Sequence, residues 1–219
     1  MKKNEILEAV NRYNQRLEQF GISEQALGWG EKGRAKLRYN ILLSQWDFDN
    51  SSVLDAGCGF GDLFGYMVQK GCRNFKYLGL DINSAFIHIA KEKYRGSATF
   101  HVKNLLEQEG ETSVDFILSS GVFNHKLEDN MGFISASFKK FNSLSTRGFA
   151  ANFLSDKVTF RNDDMFYASP PEILTLAYQY SNNIVLRNDY MPFEFTVFVN
   201  KFAEIDGKLT VYKEFAKHV

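Results

Sequence analysis

Apolar residues recur along this chain in two different rhythms, and the change near residue 52 sets the architecture. Before it, Ile6, Leu7, Val10, Tyr13 and Leu17 fall at the spacing of an amphipathic helix. Gly21 breaks that segment, and a second helical stretch runs through Lys36, Leu37, Tyr39, Ile41, Leu42 and Leu43 to Trp46. Between the two lies a turn-rich aromatic loop, GISEQALGWGEKG.

From residue 52 onward, short apolar runs alternate with helical segments. The pattern predicts strands at residues 53–54, 75–80, 99–102, 114–119 and 148–154, and helices at 62–70, 84–94 and 129–145. Such alternation implies a parallel sheet with helices on both faces. The rhythm ends after Pro170 and Pro171, where a short helix to Tyr180 precedes two strand-like runs, 184–187 and 194–200. The gap around Tyr190-Met191-Pro192 is too short for a crossover helix, so these strands should form an antiparallel hairpin. Repeats, low-complexity tracts and linkers are absent from the sequence. Its 219 residues are therefore read as one domain: a helical cap at 1–50, an α/β core at 51–200 and a tail at 201–219.

Composition narrows the function. The 26 basic residues balance the 26 acidic ones, which gives no encouragement to phosphate-dominated nucleic-acid binding. Neither a signal peptide nor an apolar run long enough to span a membrane is present. Cys58 and Cys72 fall near opposite ends of the helix expected between them, roughly 15 Å apart at helical rise. That is too far for a disulfide, so two free thiols and a cytoplasmic location are expected.

The chemistry is concentrated in Val53-Leu54-Asp55-Ala56-Gly57-Cys58-Gly59-Phe60-Gly61-Asp62. A buried strand ends at Asp55, and alternating glycines let the backbone turn tightly and come close to a ligand. The next strand ends at Asp81, whose carboxylate can accept two hydrogen bonds from a ribose diol. A dinucleotide-binding loop would read G-x-G-x-x-G and face a pyrophosphate. Here the loop is G-C-G-F-G, and Asp55 would repel a pyrophosphate yet could hold the ammonium of a methionine moiety.

On these residues the chain resembles the class I S-adenosylmethionine-dependent methyltransferases of small-molecule type. VLDAGCGFGDL is similar to their first motif and YLGLDINSAFIHIAKEKY to their second, and the resemblance covers residues 50–200. It implies a Rossmann-like seven-stranded, mostly parallel sheet with one antiparallel strand inserted at the end. It also implies that S-adenosylmethionine lies with its amino-acid end on the Gly57–Gly61 loop and its ribose on Asp81. The family often has an acid after the third strand for the adenine amine; Asn104 stands there, and its amide oxygen can still accept an N–H. Cys58, Gly59, Ile82, Leu105 and Ser120 complete the candidate cofactor set. Arg38, in the N-terminal cap, is the expected partner of the cofactor carboxylate, with a solvated helix arginine as the competing reading. No metal is called for.

The acceptor should sit at the carboxyl ends of the strands. His125, in Ser119-Ser120-Gly121-Val122-Phe123-Asn124-His125, is the candidate general base, with a solvated loop histidine as the equal alternative. As a base it would lose about 10²–10⁴-fold on truncation, and the rate would follow its titration. Trp29, Phe123, Arg161, Tyr167 and Tyr190 are the candidate acceptor contacts. Arg161 and Tyr167 belong to a long segment, SDKVTFRNDDMFYAS, of the kind that often forms a lid. The fourth strand is followed by no Asn/Asp-Pro-Pro-aromatic sequence, which argues against DNA bases or protein amides as acceptors. The expected reaction is methyl transfer to an oxygen or nitrogen of a small molecule. An RNA or protein methyltransferase, a noncatalytic cofactor-binding module and a dehydrogenase are the rivals.

Overall fold

A computed structural model describes residues 1–30, 33–107, 113–202 and 204–219. The last residues of the aromatic loop, 31–32, lie outside the described residues. Helices α1 (Lys3–Phe20) and α2 (Arg34–Leu42) precede β1 (Ser52–Ala56), α3 (Asp62–Gln69), β2 (Lys76–Asp81), α4 (Ser84–Lys93) and β3 (Thr99–Val102). A 3₁₀ turn (Leu105–Glu107) leads on to β4 (Val114–Ser119), α5 (Asn130–Leu144), β5 (Ser145–Leu154), α6 (Pro170–Ala177), β6 (Asn183–Arg187) and β7 (Glu194–Asn200). Two-residue strands, β8 (Ile205–Asp206) and β9 (Val211–Tyr212), pair antiparallel in the tail before a closing 3₁₀ turn.

The main sheet has the order β3-β2-β1-β4-β5-β7-β6. The first five strands are parallel; β7 runs antiparallel to both β5 and β6, as the short connection between β6 and β7 requires. Successive residues feed opposite faces. Leu54, Ile117, Phe149 and Ala151 join one core with α5 and α6. Val53, Phe116, Leu118 and Ala150 join the other with α2, α3 and α4. Stacked Phe123–Phe153 and Phe153–Phe195 rings, 5.1 and 5.2 Å apart, carry the first core toward the carboxyl edge.

Boundaries differ from the sequence reading where tertiary contacts intervene. Helix α2 stops at Leu42 because Trp46 turns onto the sheet, stacking on Phe116 at 4.9 Å and donating to Asn200 Oδ1. Strand β5 starts at Ser145 rather than 148, pairing with Val114 ahead of a register shift. Helix α6 ends at Ala177, and Tyr180 packs on Phe138 and Phe149 instead of extending it.

Helix α1 is the exception among the α-helices, since none of its residues is buried. Its apolar positions Ile6, Ala9 and Tyr13 face a cavity. Polar side chains hold it there: Lys2 and Glu5 meet Glu128, Arg12 and Tyr13 meet His125, and Asn14 accepts from Asn83.

Candidate active site

The glycine turn after β1 takes left-handed backbone at Gly57, Gly59 and Gly61, with φ of 80°, 53° and 74°. Two consecutive N–H groups, of Gly57 and Cys58, donate to Leu80 O and lock the turn onto the end of β2. A Cβ on Gly57 would lie 2.2 Å from Val122 Cγ2, so the β1 and β4 loops can approach this closely only with glycine there. Both cysteines are free, and Cys58 is buried in the turn.

Asp81 ends β2 beside this turn. Its carboxylate accepts from Gly59 N and Asn83 N, each at 2.9 Å, and keeps a face open to the cavity. Burial pushes its pKa up, while the N–H groups of Asn83, Gly59 and Ile82 oppose that rise. Asp55 is enclosed, 2 % exposed, with a hydrogen bond from the Tyr77 hydroxyl. Desolvation pushes its pKa to about 7 against the Tyr77 hydrogen bond, helped by the charges of Asp81 and Asp62.

A cavity above the carboxyl ends of β1, β2 and β4 gathers Asp55, Gly57, Cys58, Gly59, Asp81, Ile82, Asn104, Leu105 and Ser120. Nine of the ten candidate cofactor residues thus share one wall system. Asn104 Oδ1 already accepts from Leu106 N, leaving its second lone pair for a ligand. The open face of Asp81 suits a hydrogen-bond donor such as a ribose hydroxyl, and Asp55, once ionised, suits an ammonium.

Arg38 is the tenth, and the structure gives it another partner. Its guanidinium is paired with buried Glu194 and lies 4.5 Å from the Trp29 ring centroid. It lines a second cavity rather than the first. Among the described residues, the buried atoms Arg38 Nη1 and Arg34 Nε have no hydrogen-bond partner.

The second cavity shares Tyr13, Leu27, Trp29, Gly121 and His125 with the first, so these residues form the partition. His125 has both ring nitrogens engaged, Nδ1 with Arg12 Nη1 and Nε2 with the Tyr13 hydroxyl, each at 2.7 Å. Burial and the Arg12 charge, opposed by Asp164, bring its pKa down to about 4. Tyr167 also lines the second cavity, its hydroxyl accepting from Asn162 N. Phe123 is stacked into the core with 2 % exposure and forms floor beneath the first cavity. Arg161 and Tyr190 line neither cavity: Arg161 donates to Asp156 O, and the Tyr190 hydroxyl pairs with Thr196.

The segment after β5 is pinned rather than free. Phe166 N donates to Asn124 O, Lys126 N to Asp164 O, and Ala168 N to Leu154 O. Sequence reasoning missed Tyr13 and Arg12 as site residues. The 6–9–13 spacing on α1 was the available clue, because an apolar stripe can face a cavity as readily as a core.

Comparison with known proteins agrees with this geometry. Residues 53–140 match the model of a methyltransferase domain. A Mycobacterium tuberculosis protein, Rv1506c, itself assigned as a methyltransferase, is 32 % identical over 163 residues, covering 70 % of this chain and 95 % of that protein. Among solved structures, magnesium protoporphyrin IX methyltransferase from Synechocystis PCC 6803 with bound S-adenosylhomocysteine superposes with a TM-score of 0.63 at 15 % identity, over 89 % of this chain and 95 % of that one. Burkholderia thailandensis 1,6-didemethyltoxoflavin-N1-methyltransferase, with bound 1,6-didemethyltoxoflavin and S-adenosylhomocysteine, gives 0.66 at 14 % identity, over 92 % and 91 %. Sheet order, the glycine turn, the carboxylate ending β2 and sequence kinship converge, and the chain belongs to the class I S-adenosylmethionine-dependent methyltransferases.

Proposed function

We propose that this enzyme methylates an oxygen or nitrogen of a small-molecule acceptor in the cytoplasm. The observation that carries the reading is the second cavity, which adjoins the cofactor cavity through a shared partition beneath α1. A pocket bordered by the cap helix and the pinned segment after β5 suits a small molecule better than a polymer. The Burkholderia relative in fold, which acts on a small heterocycle, supports the same direction.

In this reading Asp81 takes the ribose hydroxyls, Asn104 and Leu105 border the adenine, and Ser120 borders the methionine side. Bound S-adenosylmethionine supplies a methyl group already activated by its sulfonium. The protein's task is then to align the acceptor and exclude water, which can account for much of the rate. The test is the fate of labelled methyl groups after incubation with a cell extract. Label is expected in the low-mass fraction; label in RNA or protein overturns the reading.

Asp55 makes cofactor affinity depend on pH. The ammonium of the cofactor needs the ionised carboxylate, which is scarce below the Asp55 pKa of about 7 in the free enzyme. Affinity for S-adenosylhomocysteine is therefore expected to rise about tenfold from pH 6 to pH 8, with a proton released on binding. The raised pKa has a second consequence of known sign: the folded free enzyme holds this proton more tightly than the unfolded chain does. The contribution of Asp55 to stability is thus present at low pH and lost as pH rises through about 7. Calorimetry in buffers of different ionisation enthalpy reads the proton release, and Asp55→Asn should abolish it. A pH-independent affinity would remove Asp55 from the ammonium site.

A further inference from the structure

The partition between the cavities determines which acceptors can react, and its hydrogen bonds fix the protons. Arginine only donates, so the 2.7 Å contact from Arg12 Nη1 makes His125 Nδ1 an acceptor. The neutral ring must then carry its proton on Nε2, which donates to the Tyr13 oxygen at 2.7 Å. The Tyr13 hydroxyl proton is thereby turned away from His125, and Tyr13 lines both cavities. The charged groups that act on His125 are Arg12 and Arg16 from α1 and Asp164 from the segment after β5. The one ring lone pair of His125, on Nδ1, is taken by Arg12 and is not free to accept a proton from an acceptor.

Among the described residues, nothing else lining the second cavity supplies a base. Among the described residues lining it there is no carboxylate; its ionisable groups are Tyr13, Arg34, Arg38, His125 and Tyr167. Burial holds the Tyr13 phenol well above its ordinary range, so it stays protonated. The nucleophile must arrive with its lone pair exposed. The cavity also carries positive charge: Arg34, stacked 5.0 Å from the Phe193 ring centroid, forms no ion pair among the described residues. Arg34 Nε and Arg38 Nη1 are both buried without a hydrogen-bond partner among the described residues. Such guanidinium nitrogens suit an oxyanion.

We propose that the acceptor is a carboxylic acid, drawn in as its anion by Arg34 and Arg38 and methylated on a carboxylate oxygen that the Tyr13 hydroxyl orients. This deepens the small-acceptor reading and rests on it. A carboxylate oxygen forms the new O–C bond, the S–C bond breaks with its electron pair remaining on sulfur, and no proton moves. One negative and one positive charge disappear together, a change favoured where aromatic walls exclude water. Arg12 and His125 are positioning residues that set the direction of the Tyr13 proton.

Two measurements test this. Nitrogen-15 spectra of the histidine ring should show His125 protonated on Nε2 throughout pH 6–8, without titration there; protonation on Nδ1, or titration near 6.5, overturns the relay. The enzyme loaded with S-adenosylhomocysteine is then melted with benzoate, phenylacetate and butanoate, and with their primary amides. The acids should raise the melting temperature, the amides should not, and Arg34→Met should cancel the difference. Equal shifts, or none, overturn the carboxylate assignment. Once an acid that turns over is in hand, His125→Gln discriminates further, because its amide can accept from Arg12 and donate to Tyr13 while being unable to act as a base. Relay predicts that His125→Gln recovers to within about tenfold of wild type what His125→Ala loses, whereas a general base predicts losses of about 10²–10⁴-fold in both. Label found in RNA or protein would bring down the small-acceptor reading while leaving the tautomer measurement standing.

Discussion

Replacing Asp81 with alanine is expected to weaken S-adenosylhomocysteine binding by about 10²-fold or more. Hydrogen bonds to an ionised group contribute about 1.5–3 kcal/mol each, and a ribose diol makes two. The substitution acts twice, because Asp81 also accepts from the backbone of Gly59 and Asn83. Without it, the glycine turn loses the tether at Gly59 and keeps those from Gly57 N and Cys58 N to Leu80 O. Titration calorimetry gives the affinity, and circular dichroism establishes that the variant is folded. Asp81→Asn retains the shape and one accepting oxygen, and should fall between wild type and alanine. Unchanged affinity in a folded Asp81→Ala protein would remove this residue from the cofactor site.

The second large effect is on stability. Glu194→Ala should destabilise the enzyme by about 3–5 kcal/mol, the cost of stranding a buried charge. Arg38 is 9 % exposed and Glu194 2 %, so neither ion can recover its hydration when its partner is lost. For a protein of this size, about 2–4 °C of melting temperature accompanies each kcal/mol, giving a fall of roughly 6–20 °C. Arg38→Met should cost a comparable amount, because Glu194 would then be the stranded ion. The double variant Arg38→Met/Glu194→Leu should recover much of the loss, since no unpaired charge remains. Thermal melts of the four proteins complete the cycle. Additive losses would show that the pair is not coupled.

Much of this enzyme was legible before any coordinates. Short runs such as those at 116–118 and 197–199 are continuous and apolar because β4 and β7 are covered on both faces. The short connection after Arg187 excluded a crossover and thereby fixed the antiparallel strand. Gly57, Asp55 and Asp81 could be singled out as candidates because the turn, the strand ends and the helix are contiguous within one βαβ unit, and they line one cavity. The acceptor side was less legible. Arg161 and Tyr190 carry suitable chemistry but are committed to Asp156 and Thr196. Phe123, just past the end of β4, is taken by the aromatic core.

What the sequence by itself determined was the order of strands and helices, the antiparallel hairpin and the residues of the cofactor turn, because local periodicity and local chain geometry encode them. Tertiary structure alone decided what the charged and titratable side chains do. Arg38 meets Glu194 across 156 residues of chain, and His125 meets Arg12 and Tyr13 across 113 and 112. Spacing carries no record of such partners, yet the partner decides the chemistry: a histidine with a free lone pair is a base, and one whose lone pair is taken by an arginine orients a tyrosine. The same limit applies to α1, whose stripe reads as core-facing and instead roofs a cavity, because periodicity specifies a face without specifying what lies opposite.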